Sequence, residues 1–303
     1  MGRGPLAGPV VASAVILPQD HDIIGLNDSK KLSPKKRLVL YNEIMDKSTS
    51  IGIGLESINT IDKVNIRNAT FIAMKKAIQN LDIKPDRLLI DGVDVPKLNV
   101  PYEGVVKGDT KIESIMAASI IAKVVRDRIM IDYSVIYPEY GFEKHKGYGT
   151  KMHMEALRKN MATPIHRKSF NPVSKYLPTF KWLRKNNKLR WMAQKLSAMY
   201  LLKDGYSIDS IAVMLDNNLL VDIIGLKNRL KIFVFVNLVN DSSYDKNLHS
   251  VITNEASIKN NILKYFSFNN INITQPWRVD IIDVDLYSKI SKFEYFEGIL
   301  SSK

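Results

Sequence analysis

The 303-residue chain contains no cysteine. That excludes disulfides and thiolate-ligated metal sites, and a reducing cytoplasmic setting is the expectation. No stretch approaches the roughly 18 uncharged apolar residues that a membrane-crossing helix needs, so no membrane partner is expected. The N-terminal MGRGPLAGPVVASAVILP is apolar, but glycine and proline come early and no cleavage pattern follows. It does not follow a signal-peptide plan. There is no internal repeat, no low-complexity run and no Walker-type glycine loop. The five histidines do not cluster at metal-ligand spacing.

Acidic residues are missing from one stretch in particular. From Ala156 to Lys188 there are nine Lys or Arg and no Asp or Glu. The net charge is +13, and residues 1–189 carry +12 of it, leaving +1 for residues 190–303. A basic first part suits a polyanionic partner, because phosphate neutralisation releases counterions. A solvated basic face is the plainer reading of charge alone.

The length suggests two domains, and 45% hydrophobic residues suffice for a sizeable core. Pro9–Leu17 reads as a buried strand. Ser33-Pro34 fits a helix N-cap followed by proline at the first helical position. Ile51–Ser57 alternates like a strand, and a helical pattern follows it. RLLIDG, Arg87–Gly92, is a short buried strand closed by glycine. A long helix runs to Pro138, and Lys151–Asn160 forms another. Strands alternating with helices make this an α/β domain over residues 1–177. Residues 178–189 read as a basic linker. Beyond it RWMAQKLSAMYLLKDGY reads as a helix, then IAVML, LVDIIGL and KIFVFVNLV as strands, SIKNNILKYFSF as a helix and WRVDIIDVDL as a last strand. Residues 190–303 are therefore expected to form a second, smaller α/β domain.

Six segments, GRGPLAGPV, GLNDSKKLS, LLIDG, VKGDTKIESIMAASIIAKVVRD, YPEYGFEKHKGYGT and TPIHRKSF, occur in this order between Gly2 and Val173. Together they resemble the ribonuclease HII family. The resemblance implies a ribonuclease H-like mixed sheet with flanking helices. It implies an endonuclease that hydrolyses the RNA strand of RNA–DNA hybrids and cuts 5′ to ribonucleotides embedded in duplex DNA, leaving 3′-hydroxyl and 5′-phosphate ends. No obligate protein partner is implied. Two-metal phosphodiester hydrolysis needs several carboxylates converging from different elements, and the cofactor would be Mn²⁺ or Mg²⁺, hard cations that take oxygen ligands. Asp91, at a buried strand's end, and Asp109, before a helix, match the family's third and fourth catalytic carboxylates. Both are expected to be catalytic metal ligands. Asp127, in VVRD, sits mid-helix and is expected to pair with Lys123 four residues earlier.

Gly2, Arg3 and Gly4 match the family segment whose backbone reads the ribonucleotide 2′-hydroxyl, the group that distinguishes RNA from DNA. Tyr148 matches the tyrosine that stacks under the neighbouring sugar, and its flanking glycines point to an exposed loop. Lys30, Lys31 and Lys107 are expected on phosphates, with His166, Arg167 and Ser169 on the same surface. The departure is at the start. The family pattern runs Asp-Glu-(small apolar)-Gly-Arg-Gly, and Met1 holds the small apolar place. Two catalytic carboxylates and most of a central strand would precede it, so a misassigned start codon is the expectation. The alternative is a nucleic-acid-binding protein that does not cut.

Residues of about 190–290 resemble, more weakly, the YraN-like family of small restriction-endonuclease-like proteins, through KDGY, the strands around LVDIIGL and VFVNLV, and WRVDII. Of that fold's catalytic set Asp222 remains. Gln194, Asn237 and Val239 stand where Glu, Glu and Lys are expected. An amide and an aliphatic group cannot replace carboxylate and amine in metal binding, so this domain is expected to be inactive. Asp222 alone reads as a turn or capping residue.

Overall fold

The computed structural model describes residues 1–216, 219–239, 254–288 and 291–302. The chain divides into two compact units, Met1–Ile131 with Glu139–Leu177, and Asp132–Pro138 with Pro178–Lys303. No helix among the described residues is long and apolar enough to cross a membrane.

In the first unit, strand β1 (Val10–Ile16) pairs antiparallel with β2 (Ser50–Glu56), in register from Val10 against Glu56 to Ile16 against Ser50. Helix α1 (Pro34–Lys47) starts as its sequence suggests: the Ser33 side chain accepts from the Lys36 N–H, and Pro34 follows. Such a cap contributes about 1 kcal/mol. Strand alternation sends Val15, Ile51 and Ile53 to one face of the pair, where Leu40, Ile44, Ala117, Ile120 and Ile121 pack. Val10, Ala12 and Ala14 face helix α2 (Ile58–Gln79), meeting Ala69, Ala73 and Ala77. Gly52 and Gly54 explain that small-residue stripe. A Cβ on either would lie 1.9 Å from the carbonyl oxygen of Ala77 or Ala73, so strand and helix touch backbone to backbone. Helix α2 is kinked at Asn65 (φ 67°), a break its apolar spacing does not announce.

Strand β3 (Leu88–Asp91) pairs in parallel with β4 (Tyr102–Val105). The expected mixed pairing is therefore present, but it is spread over two two-stranded sheets, β1–β2 and β3–β4. On the edge of β1 away from β2, Met1 exchanges hydrogen bonds with Val11: Met1 N donates to Val11 O (2.6 Å) and Val11 N to Met1 O (3.1 Å). Helix α3 (Glu113–Ile136) and the short helices α4 (Phe142–His145) and α5 (Lys151–Asn160) follow.

The second unit is a five-stranded sheet in sequence order, β5 (Ser207–Asp216), β6 (Leu219–Lys227), β7 (Leu230–Leu238), β8 (Trp277–Asp285) and β9 (Lys292–Ser301). Every neighbour pair is antiparallel except β7–β8. Asn228 and Arg229, both at positive φ, form the two-residue turn that a right-twisted β6–β7 hairpin prefers. The region expected to be a basic linker instead carries helix α6 (Phe180–Lys185), capped by Thr179. Its Leu183 packs with Leu189 and Met192, the latter two on α7 (Leu189–Lys203). The basic side chains there project from a short helix of which Leu183 alone is buried. Helix α8 (Glu255–Phe268) packs Ile258, Ile262 and Phe266 with Val221, Phe233, Phe235 and Val279 of the sheet.

Candidate active site

Parallel pairing of β3 and β4 brings Asp91 and Asp109 to the same end of a sheet. Asp91 is the last residue of β3, in register with Val105, and the Gly92 N–H donates to Val105 O (2.8 Å). After β4 the chain turns through Lys107, a left-handed residue (φ 56°, ψ 42°), into a 3-10 turn, Gly108–Thr110. The Lys107 carbonyl accepts from the Thr110 amide (3.1 Å) and hydroxyl (2.9 Å), which fixes the turn carrying Asp109. Burial, then the negative charges of Asp91 and Asp28, push the Asp109 carboxyl above its usual range, while Lys30 opposes them. Three carboxylates and one lysine therefore share an electrostatic neighbourhood. Such crowding of hard oxygen donors is what a divalent cation relieves, and the chemistry of Asp91 and Asp109 fits one. Among the described residues, however, no group of three or more His, Asp or Glu could hold a metal ion.

Asp28 was not among the residues expected in the site. Its Oδ1 accepts from the Lys30 amide (2.9 Å) and its carbonyl from the Lys31 amide (2.9 Å). This is an Asx turn, in which an aspartate side chain accepts from the backbone two residues on. Arg37 anchors the same loop through Ser29 O and Leu32 O, both at 2.7 Å. Lys30, Lys31 and Lys107 are all exposed, as phosphate contacts require. Asp127 takes both its contacts within the fold: Lys123 Nζ lies 2.6 Å from each carboxylate oxygen, and Arg37 approaches at 3.8 Å.

The Gly2–Gly4 segment meets Tyr148. A Cβ built on Gly4 would lie 3.8 Å from the Tyr148 ring, which is 41% exposed on its loop. Gly2 has φ +86°, and a Cβ there would lie 2.2 Å from Arg126 Nε, so only glycine fits. Arg3 reaches toward Asp94 (3.8 Å), a residue that Arg67 holds at 2.6 Å. Burial pushes the Met1 ammonium down to about 5; Arg126, Lys30 and Arg3 act in the same sense and Asp91 opposes. The glycine segment, the lysine loop and Asp91 thus lie within electrostatic reach of one another.

His166 and Arg167 are not on the substrate surface, contrary to expectation. Both are 0% exposed. Arg167 donates to five carbonyls: Gly8 from Nε (3.0 Å), Arg3 and Pro5 from Nη1 (2.9 and 2.7 Å), and Gly2 and Pro9 from Nη2 (2.6 and 3.3 Å). A buried guanidinium is tolerated when its donors are met, and here the looped N-terminal segment meets them. Burial, then Arg126, push its pKa down to about 9, which leaves it charged at neutral pH. Ser169 is exposed but turned to Asp62, which accepts from its amide (2.9 Å) and hydroxyl (2.7 Å).

In the second unit, Asp222 is neither a turn nor a cap. It lies inside β6 and is 0% exposed. Its oxygens accept from Arg190 (3.1 and 3.2 Å), Gln194 (3.2 Å) and the Val236 amide (2.8 Å). Burial still pushes its carboxyl up, against the pull of Arg190 and these hydrogen bonds. Asn237 donates to Asp283 (2.8 Å).

Comparison with known proteins agrees with the first unit's geometry. The model of the family described as Ribonuclease HII matches residues 1–173. A ribonuclease HII of Lactobacillus johnsonii is 56% identical over 176 residues, covering 58% of this chain and 70% of that one. One from Enterococcus faecalis is 55% identical over 175 residues, covering 57% and 68%. The crystal structure of ribonuclease H2 from Pyrococcus horikoshii superposes with a TM-score of 0.50 at 29% identity, covering 58% of this chain and 93% of that one. With its first unit accounted for in sequence and fold, the chain belongs to the ribonuclease HII family and so to the ribonuclease H endonucleases.

Proposed function

We propose that the first unit recognises a ribonucleotide within a duplex and directs hydrolysis of the adjoining phosphodiester. The substrates are the RNA strand of RNA–DNA hybrids and duplex DNA with embedded ribonucleotides. The observation that carries this reading is the convergence of the Asp91–Asp109 pair with a glycine segment, an exposed tyrosine and exposed lysines. Asp91 and Asp109 would hold Mg²⁺ or Mn²⁺, which when bound supplies the Lewis acidity for phosphoryl chemistry. Gly2–Gly4 present main chain to the 2′-hydroxyl, Tyr148 offers a ring to the neighbouring sugar, and Lys30, Lys31 and Lys107 neutralise phosphates.

The donor count favours a second reading, binding without turnover, because two carboxylates are few for two-metal catalysis. One assay separates the readings. Duplex DNA carrying one ribonucleotide is offered with Mn²⁺ to this chain and to the chain preceded by Asp-Glu. Cleavage 5′ to the ribonucleotide by either form supports the enzyme reading; cleavage by neither, with retained binding, supports the second.

For the second unit we propose a restriction-endonuclease-like fold that no longer cuts. Supporting this, every Asp222 oxygen is engaged by arginine, glutamine or backbone. No cation uptake by a variant lacking Asp91 and Asp109 is expected in Mn²⁺ titration calorimetry; one tight ion retained there would refute it.

A further inference from the structure

We propose that the buried dipeptide His166–Arg167 positions both halves of the ribonucleotide-recognition surface from behind. Arg167 holds the Gly2–Pro5 segment, and His166 acts through His153 on Tyr148. The inference rests on reading Gly2–Gly4 and Tyr148 as the ribonucleotide contacts.

The hydrogen bonds have one consistent direction. The Thr163 amide can only donate, so His166 Nδ1, 3.0 Å away, accepts and carries no hydrogen. The Thr163 hydroxyl lies 2.8 Å from the same nitrogen. His166 therefore carries its hydrogen on Nε2, 3.0 Å from His153 Nε2, which must accept. The hydrogen of His153 is then on Nδ1, 3.0 Å from the Tyr148 carbonyl, which can only accept. A backbone donor at one end and a backbone acceptor at the other leave each ring a single tautomer. A further proton on His153 would set two N–H groups facing each other at 3.0 Å.

The same loop is held from other sides. His145 stacks on His153 with centroids 4.7 Å apart, accepts from the Gly147 amide (3.2 Å) and donates to Tyr140 O (2.8 Å). Arg126 donates to Lys146 O (3.0 Å), and the Leu6 amide to Gly147 O (2.8 Å). The Arg167 amide donates to Leu6 O (2.9 Å), joining the tyrosine loop to the segment its own guanidinium grips. His153, His166 and Arg167 are all 0% exposed, so none can touch a duplex. Their effect on recognition must pass through the groups they hold, and they are positioning residues.

Two measurements on the full chain test this. Side-chain ¹⁵N NMR at neutral pH should show His166 as the Nε2–H tautomer and His153 as the Nδ1–H tautomer; any other assignment overturns the relay. The second measurement is the ratio of Kd for an all-DNA duplex to Kd for the same duplex with one ribonucleotide. His153→Phe and Arg167→Lys should each lower this ratio about tenfold, the equivalent of one lost net hydrogen bond. His153→Asn, which keeps an N–H near the place of Nδ1 but loses the contact with His166, should give a ratio between those of the wild-type chain and His153→Phe. In a Tyr148→Ala background His153→Phe should lower it no further. A merely structural role would lower melting temperature and both affinities together, leave the ratio unchanged, and so overturn the proposal. Should His153→Phe fail to fold, the Asn variant and the tautomers still decide. A wild-type chain that does not discriminate refutes the site reading and the inference together; discrimination that His153→Phe leaves intact refutes the inference alone.

Discussion

Asp91 and Asp222 are both strand aspartates, yet their surroundings oppose each other. Asp91 ends β3 in the open, and its charge helps to raise the carboxyl of Asp109. Asp222 is buried inside β6, with both oxygens engaged by four hydrogen bonds. A carboxylate in the open is accessible to a cation; one whose oxygens are already engaged by protein donors is closed to it. Gln194 shows how closing is done. Its amide donates to the Asp222 carbonyl and carboxylate, where a glutamate would bring two anions together.

The largest expected difference between the two aspartates is in turnover. In whichever form of the chain cleaves, Asp91→Asn should reduce the single-turnover rate at least ~10²-fold, the scale for removing a group that acts on developing charge. Duplex affinity should change little. Asp222→Asn should leave the rate unchanged. Equal loss from both variants would erase the distinction.

Acid should next separate the units. Burial pushes His153 down from 6.5 to about 4, and His166 well below its usual range. Between those two pH values the unfolded chain protonates His153 and the folded chain does not. Stability contributed by the neutral ring is therefore complete above about pH 6.5 and is lost as pH falls toward 4. At ~1.4 kcal/mol per pH unit, His153 alone accounts for about 3 kcal/mol. Asp222 works in the other direction, since its raised carboxyl takes up a proton more readily when folded. Hydrogen exchange followed by mass spectrometry from pH 7 to 4 should show protection falling first in residues 1–131 and 139–177. Earlier loss in the second unit would contradict this.

These contrasts were unevenly legible in the sequence. Periodicity and capping are local, so α1 with its Ser33 cap, β1, β2 and the existence of the strand ending in Asp91 could be read directly; that strand is not the buried one expected, because only Leu88 of its four residues is buried. The pairing of Lys123 with Asp127 follows from helical spacing. What escaped depends on distant partners. TPIHRKSF reads as a basic surface segment because nothing nearby shows that five N-terminal carbonyls will satisfy Arg167. β4 is four residues between prolines and other breakers, and β9 is a mostly exposed edge whose side chains bury too little to mark it. Asp222 is read as a turn residue until Arg190, Gln194 and Val236 are brought to it by tertiary packing.

Neutralising Asp222 while keeping its shape tests whether its role is structural. Asp222→Asn leaves one acceptor oxygen where two served Arg190, Gln194 and Val236, and turns an NH₂ group toward at least one donor. The cost should be about 2 kcal/mol, moderated because Arg190 is half exposed and can rehydrate. Urea unfolding of the second unit would measure it, and an unchanged midpoint would sink the structural reading.

The same substitution at Asp109 should have the opposite sign and the smallest size. The Asp109 carboxyl is pushed up by burial and by Asp91 and Asp28, so at neutral pH the folded state carries a burial cost and a repulsion that the unfolded state lacks. That cost is present above the folded pKa and fades as protonation removes the charge. Asp109→Asn should therefore stabilise the first unit at pH 7 by about 0.5 kcal/mol, after screening by solvent. Salt should shrink the part of the gain that comes from Asp91 and Asp28, because it screens that repulsion in the wild-type chain, and leave the burial part. Mg²⁺ should raise the wild-type melting temperature more than that of the variant, because a ligand bound only by the folded state stabilises it. Thermal melts at low and high salt, with and without Mg²⁺, decide the matter. A loss of stability in Asp109→Asn would show that Asp109 is held by the fold as Asp222 is, and the comparison between the two surroundings would fail.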